Sequence, residues 1–126
     1  MPSLLSLSLS LSLSLTLILT TLTPTLCSSL KEKTGDVTWY EPGLGACGET
    51  SLKEDAIVAV SPSYFDRHDA CSRKLRVTYH GASLDLRVVD RCAGCAVNDL
   101  DLSPSAFKHL VGDLGVGRVA AVWEWI

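Results

Sequence analysis

Two carboxylates beside a cysteine clip are the residues of this chain best suited to chemistry. The stretch Leu84–Ser103 reads LDLRVVDRCAGCAVNDLDLS, with Asp90 after the alternating Leu84, Leu86 and Val88, and Asp101 between Leu100 and Leu102. Strict alternation along a strand carries Asp90 on the same face as those three apolar residues, toward the core side. Acids held among apolar residues are what cleavage of a glycosidic bond needs: a proton donor and a second carboxylate as base or nucleophile at a set separation. They are equally what hydrogen bonding to a sugar chain needs. The plainer reading makes Asp90 and Asp101 strand-end and turn residues, one of them paired with Arg91.

Other chemistries find less support. His68, His80 and His109 are scattered in polar contexts, and neither H-E-x-x-H nor G-x-S-x-G occurs. Cys92-Ala93-Gly94-Cys95 is half of a zinc knuckle, but Cys47 and Cys71 are too far apart to supply the other half. No helix begins at the clip, as a thioredoxin-like redox site would require. Gly43–Gly48 matches G-x-G-x-x-G in form only: no buried strand leads into it and no helix-forming run follows, so the glycines serve a tight turn around Cys47. The slightly acidic balance, a formal charge of −3, and the lack of a basic stripe argue against nucleic acid. No metal or cofactor is expected, and without an N-x-S/T sequon no N-glycan is expected.

Positioning these residues falls to the part of the chain that carries charge. The first thirty of the 126 residues hold none of its 11 Lys and Arg or 14 Asp and Glu. Residues 1–29, a Leu, Ser and Thr tract ending in Cys27, Ser28 and Ser29, read as a secretory signal peptide, although a basic start is missing. An amphipathic strand or a membrane anchor are the rival readings. Removal leaves residues 30–126 as one secreted, extracellular domain, expected to be monomeric and free of the membrane. A domain this small buries only about two-thirds of its unfolded surface, so covalent clips are expected after export. Cys47, Cys71, Cys92 and Cys95 form an even set that suits two disulfides, with three pairings open on sequence alone.

Along that domain the chain alternates between short strands and two brief helices. Gly35–Tyr40 places Val37 and Trp39 on one face and Thr38 and Tyr40 on the other, Ala56–Val60 is an apolar strand, and Leu75, Val77 and Tyr79 alternate with basic residues. His80–Ser83 is a hairpin turn into the acid-bearing strand. Ser61-Pro62 and Ser103-Pro104 each read as a helix start, serine capping and proline in the first turn; the second helix ends at Gly112. Val119, Ala121, Trp123 and Trp125 share one parity of a last strand. The pattern gives an all-β fold, a small β-barrel or sandwich with two short helices. Trp39, Trp123 and Trp125 suit the core, although aromatic faces also stack on sugars, and Tyr40 is the aromatic expected to be exposed.

Three ordered motifs, TWYEPGLGACG at Thr38–Gly48, VVDRCAGC at Val88–Cys95 and DLS at Asp101–Ser103, resemble the double-psi β-barrel of expansins, barwin-like and rare-lipoprotein-A-like proteins. The small secreted single-domain fungal members, called loosenins or expansin-like proteins, are especially similar. The resemblance runs from about Gly35 to Trp125 and implies a six-stranded barrel with an open groove. Groove residues of the family fall on Thr38, Tyr40, Asp90 and Asp101, with Asp101 at the position of the catalytic acid of related endoglucanases and lytic transglycosylases. Disulfides of relatives imply Cys47 with Cys71, leaving Cys92 with Cys95.

The chain also departs from the pattern. Gly43, Leu44 and Gly45 stand where expansins carry an acid before G-A-C-G, and Asp99-Leu100-Asp101 replaces H-F-D. The second, carbohydrate-binding domain of plant expansins is missing, which implies weak attachment to polymer. The resemblance therefore implies a protein that binds and loosens wall polysaccharide (glucan, chitin or peptidoglycan-like) without hydrolysis. A glycosidase or lytic transglycosylase using Asp101, with Asp90 as helper, is the enzymatic alternative. A barwin-like defence or protease-inhibitor module binding through a loop at Ser63–Asp69 is the other. A flavin-oxidising role, attached to some fungal relatives, finds no flavin site in these residues.

Overall fold

A computed structural model describes residues 12, 14–20, 31–67 and 69–126. Most of the stretch read as a leader, including Cys27 and the cleavage point, lies outside the described residues, and residues 12 and 14–20 form neither helix nor strand. Among the described residues no helix is long and apolar enough to cross a membrane.

Among the described residues six strands and two α-helices follow in the order β1 (Lys33–Trp39), β2 (Ile57–Val60), α1 (Pro62–Arg67), β3 (Lys74–Tyr79), β4 (Ala82–Arg91), β5 (Leu100–Leu102), α2 (Pro104–Val111) and β6 (Val119–Trp125), with a 3-10 turn at Leu114–Val116 before β6. The strands close into a barrel in the order β1-β5-β2-β4-β3-β6, so no sheet edge is left open. β1 runs parallel to β5 and β2 parallel to β4, and the remaining neighbours are antiparallel. Parallel pairs need crossovers, and here strands far apart in sequence meet across them.

Alternation decides what enters the barrel. Val37, Val58, Leu75, Val77, Leu86 and Leu102 are each at most 1% exposed and meet in one core. Burying each such side chain contributes on the order of 1.5–3 kcal/mol. Trp123 joins them and satisfies its indole N–H on the Asn98 carbonyl at 2.8 Å, while Trp39 and Trp125 pack partly buried against the same core. Tyr64, Trp123 and Trp125 meet edge to face, and Lys33 and Arg73 lie over their rings.

The second helix follows its sequence signals. Ser103 Oγ accepts the Ala106 N–H at 3.3 Å, and α2 ends at Gly112 (φ 95°), whose N–H donates to the Lys108 carbonyl. In this way α2 delivers Ala106, Phe107 and Leu110 to the core. The expected cap of the first helix is different: Ser61 Oγ donates across to the Val97 carbonyl at 2.7 Å and so fastens β2 to the turn before β5. Between β3 and β4 the turn has only two residues, His80 and Gly81, both at positive φ (45° and 82°). That geometry matches the twist of the flanking strands.

Candidate functional site

Strand register builds the site. Thr38 on β1 lies opposite Asp101 on β5, Asp101 opposite Ala59 on β2, and Ala59 opposite Asp90 on β4. Residues directly opposite on neighbouring strands point to the same face. The parallel row on either side of it, which includes Val58, Leu102 and Val88, belongs to the core. Thr38, Asp101, Ala59 and Asp90 therefore form one line across the outer face of the barrel.

Asp90 reaches that line through a β-bulge. Pairing runs Val58 with Val88 and then Ala59 with Asp90, so Val89 is an extra residue in β4. One inserted residue reverses the parity of everything after it. This corrects the expectation that alternation carries Asp90 to the core side: Val88 and Val89 are both buried, and Asp90 is half-buried on the same face as Asp101. The alternative in which Arg91 neutralises one of these acids is also corrected, because Arg91 makes a fork-like pair with Asp66 of α1, both bonds at 3.0 Å. The Asp66 partner carries no motif that sequence reasoning could have used.

The two acids are held differently. Asp90 Oδ1 accepts the backbone N–H groups of Ala46 (2.9 Å) and Arg91 (2.8 Å). The loop bearing Ala46 lies tight on the bulge: a side chain on Gly45 would place its Cβ 2.3 Å from the Val89 carbonyl oxygen, and the Cys47 N–H donates to that same oxygen. Asp101 Oδ1 accepts the Thr38 hydroxyl at 2.9 Å. Burial pushes the Asp101 carboxyl above its ordinary range, the Thr38 hydrogen bond and the Arg118 charge oppose the shift, and the Asp90 charge adds to it.

Tyr40 follows β1 directly, its N–H donating to the Leu102 carbonyl at 2.9 Å. Its phenol is held well above the usual tyrosine range, first by burial and then by the charges of Asp90 and Asp101. The ring is half-buried, which corrects the expectation of an exposed tyrosine, and its O–H is kept as a donor between two acids. Asp99 is structural: its oxygens accept the N–H groups of Asp36 (3.0 Å) and Ala96 (3.1 Å). Arg118, just before β6, pairs with Asp36 at 3.0 Å and stands close enough to Asp101 to act on it. No motif singles out Arg118; only the β1–β6 register brings it beside Thr38.

Disulfides Cys47–Cys71 and Cys92–Cys95 brace the two loops that flank Asp90. All four cysteines of the domain are thereby accounted for, and among the described residues no three His, Cys, Asp or Glu side chains are grouped to hold a metal. The segment expected to be a binding loop at Ser63–Asp69 is instead mostly helix, since residues up to Arg67 belong to α1; His68 lies outside the described residues.

A closed six-stranded barrel with an acid-bearing outer row and two loop-bracing disulfides defines a recognisable class of small β-proteins. No family model matches the chain. The Streptomyces papain inhibitor has a solved structure that superposes with a TM-score of 0.68 at 28% identity, covering 75% of this chain and 94% of that one. An expansin of Clavibacter michiganensis, solved in complex with cellohexaose, superposes equally well (TM-score 0.68, 29% identity) over 75% of this chain and 50% of that one. In sequence, the allergen Asp f 7 homolog of Arthroderma benhamiae is 31% identical over 90 residues, 68% of this chain. The chain belongs to the barwin- and expansin-like family. It spans about a third of the length of the allergen relatives it matches.

Proposed function

We propose that this is a secreted, expansin-like protein whose outer row, Thr38, Tyr40, Asp101 and Asp90, holds a wall polysaccharide and loosens it without cutting. Residues 1–29 act as the signal peptide and residues 30–126 as the exported barrel. The observation that carries the reading is the lateral line Thr38–Asp101–Ala59–Asp90. Its centre, Ala59, is buried at 2% exposure, so the accessible members of the row are the half-buried Thr38, Asp101 and Asp90, with Tyr40 beside them. At each side stand fixed hydrogen-bonding groups of the kind that orient sugars. The matched barrel of the expansin solved with cellohexaose supports a glycan as ligand.

Asp90 favours binding over hydrolysis. One of its oxygens is already committed to two backbone N–H groups, which suits a fixed acceptor better than a mobile proton shuttle. Incubation of the purified protein with cellulose, chitin and peptidoglycan, with pull-down and a reducing-end assay, tests the reading. Binding without steady release of reducing ends is expected; release abolished by Asp101→Asn would overturn it.

The raised Asp101 carboxyl favours a second reading, a lytic transglycosylase with Asp101 as its acid, since lytic cleavage needs no water-activating base. Anhydro-sugar products would mark it. Near-complete coverage of the Streptomyces papain inhibitor supports a third, in which the barrel inhibits a cysteine protease. Inhibition of papain that persists in an Asp90→Asn, Asp101→Asn double variant would favour that one.

A further inference from the structure

We propose that the groove selects a β-1,4-linked glycan bearing ammonium groups, deacetylated chitin, over a neutral glucan. This rests on the reading of the Thr38–Asp101–Ala59–Asp90 row as the polymer groove, and deepens it by naming the substrate class. Charge is the first argument. Among the described residues Asp90 and Asp101 face the row without a salt-bridge partner of their own, while the arginines beside it are engaged elsewhere, Arg91 with Asp66 and Arg118 with Asp36. The six groups carry four acids and two bases, so the row is left with an excess of two negative charges. An anionic uronate chain meets repulsion there, and an ammonium-bearing chain meets two carboxylates.

Spacing is the second argument. Asp90 and Asp101 are separated by one intervening strand, so their Cα atoms stand about 10 Å apart at the usual strand spacing. That is close to one disaccharide repeat of an extended β-1,4 chain, in which the substituents of alternate sugars point the same way. Two ammonium groups on alternate sugars can then meet the two carboxylates in one pose, where cellulose presents hydroxyls. Hydrogen bonds between ions are shorter and about twice as strong as those between neutral groups.

The test is calorimetric titration of the purified protein at mildly acidic pH with three hexamers: cellohexaose, fully N-acetylated chitohexaose and glucosamine chitohexaose. The glucosamine hexamer is expected to bind about tenfold more tightly than either neutral hexamer at low salt, with the advantage shrinking toward 0.5 M salt as screening grows, roughly as the Debye length falls. Asp90→Asn and Asp101→Asn should each remove most of that advantage, read as the ratio of glucosamine-hexamer to cellohexaose affinity within each variant. Asp85→Asn makes the same change in net charge on a carboxylate held by Arg76 and should keep the advantage. Equal affinity for charged and neutral hexamers would overturn the inference and leave the polysaccharide reading intact. An advantage that survives in both row variants would also overturn it, as attraction by the acidic chain at large. Binding of none of the three would overturn both readings together. Circular dichroism of each variant separates lost folding from lost selectivity.

Discussion

Asp90 and Asp101 lie in one row of the barrel wall, yet their surroundings differ at almost every point. The Asp101 side is built by strands alone: β5 is flanked by β1 and β2, and the carboxylate takes a single hydroxyl from Thr38. The Asp90 side is built by a bulge and a loop: Val89 turns the chain over, the Gly45–Cys47 segment presses on it, and two backbone amides hold one oxygen. Two residues of the same type thus come to the same surface by different means. Partial burial with little compensation leaves Asp101 reluctant to ionise, whereas backbone donors make Asp90 a fixed acceptor. Environment, more than residue type, divides the work between two carboxylates.

The Asp90 side is most vulnerable at its loop. Gly45→Val forces a Cβ into the Val89 carbonyl, and the expected fall in Tm is about 10 °C or more, the scale of a severe steric mutant. On the proposed reading, sugar binding should weaken with it, because Ala46 can no longer reach Asp90. Removing the disulfide that ties this loop, with Cys47→Ser and Cys71→Ser together, should lower stability by about 3 kcal/mol in a urea titration, against about 2 kcal/mol for the shorter Cys92–Cys95 clip. Equal losses from the two would say that the Asp90 side is no more dependent on its covalent brace than the turn beyond it.

Smaller effects sharpen the Asp101 side. Thr38→Val removes the hydroxyl with little change of shape and should lower stability by about 1.5–3 kcal/mol at neutral pH, the usual range for a bond to a charged group. Titration followed by carboxyl NMR should place Asp101 still further above its ordinary value in that variant. Asp101→Asn should act in the opposite sense. A carboxyl whose native value lies above the unfolded one favours the fold most below the unfolded value, near 3.8, and that contribution is lost as pH rises through the native value. At neutral pH the amide should therefore raise Tm, and the difference should vanish on acidification toward pH 3. A Tm gain that stays constant with pH would show that ionisation of Asp101 is not its source.

Much of the scaffold was legible because its signals are local. Alternation in Leu75–Tyr79 and Val119–Trp125 places the right residues inside, Ser103-Pro104 starts α2 and Gly112 ends it, and the turn before Ala82 falls where the glycine is. Ser61-Pro62 carries the same signal, but a tertiary partner, the Val97 carbonyl, takes the hydroxyl. At the site the local signal failed for the exposure of Tyr40 and for the face of Asp90. A bulge has no composition of its own, and Val89 is as apolar as Val88, so nothing along the chain announces that the parity changes between them. The motif resemblance brought Thr38, Tyr40, Asp90 and Asp101 together as a set, while the face that Asp90 takes is visible only once β2 lies beside β4.

The row has a consequence for how the protein comes to work. Its four members are supplied by β1, β2, β4 and β5, and neighbours such as Thr38 and Asp101 are 63 residues apart along the chain. Asp90 and Asp101 are close in sequence but sit on strands joined only through β2, so the row exists only once β1, β2, β4 and β5 have assembled, and on the proposed reading a partly assembled molecule has nothing with which to grip a polymer. Whatever ligand the groove accepts selects finished barrels from unfinished ones, and by mass action protects them from unfolding.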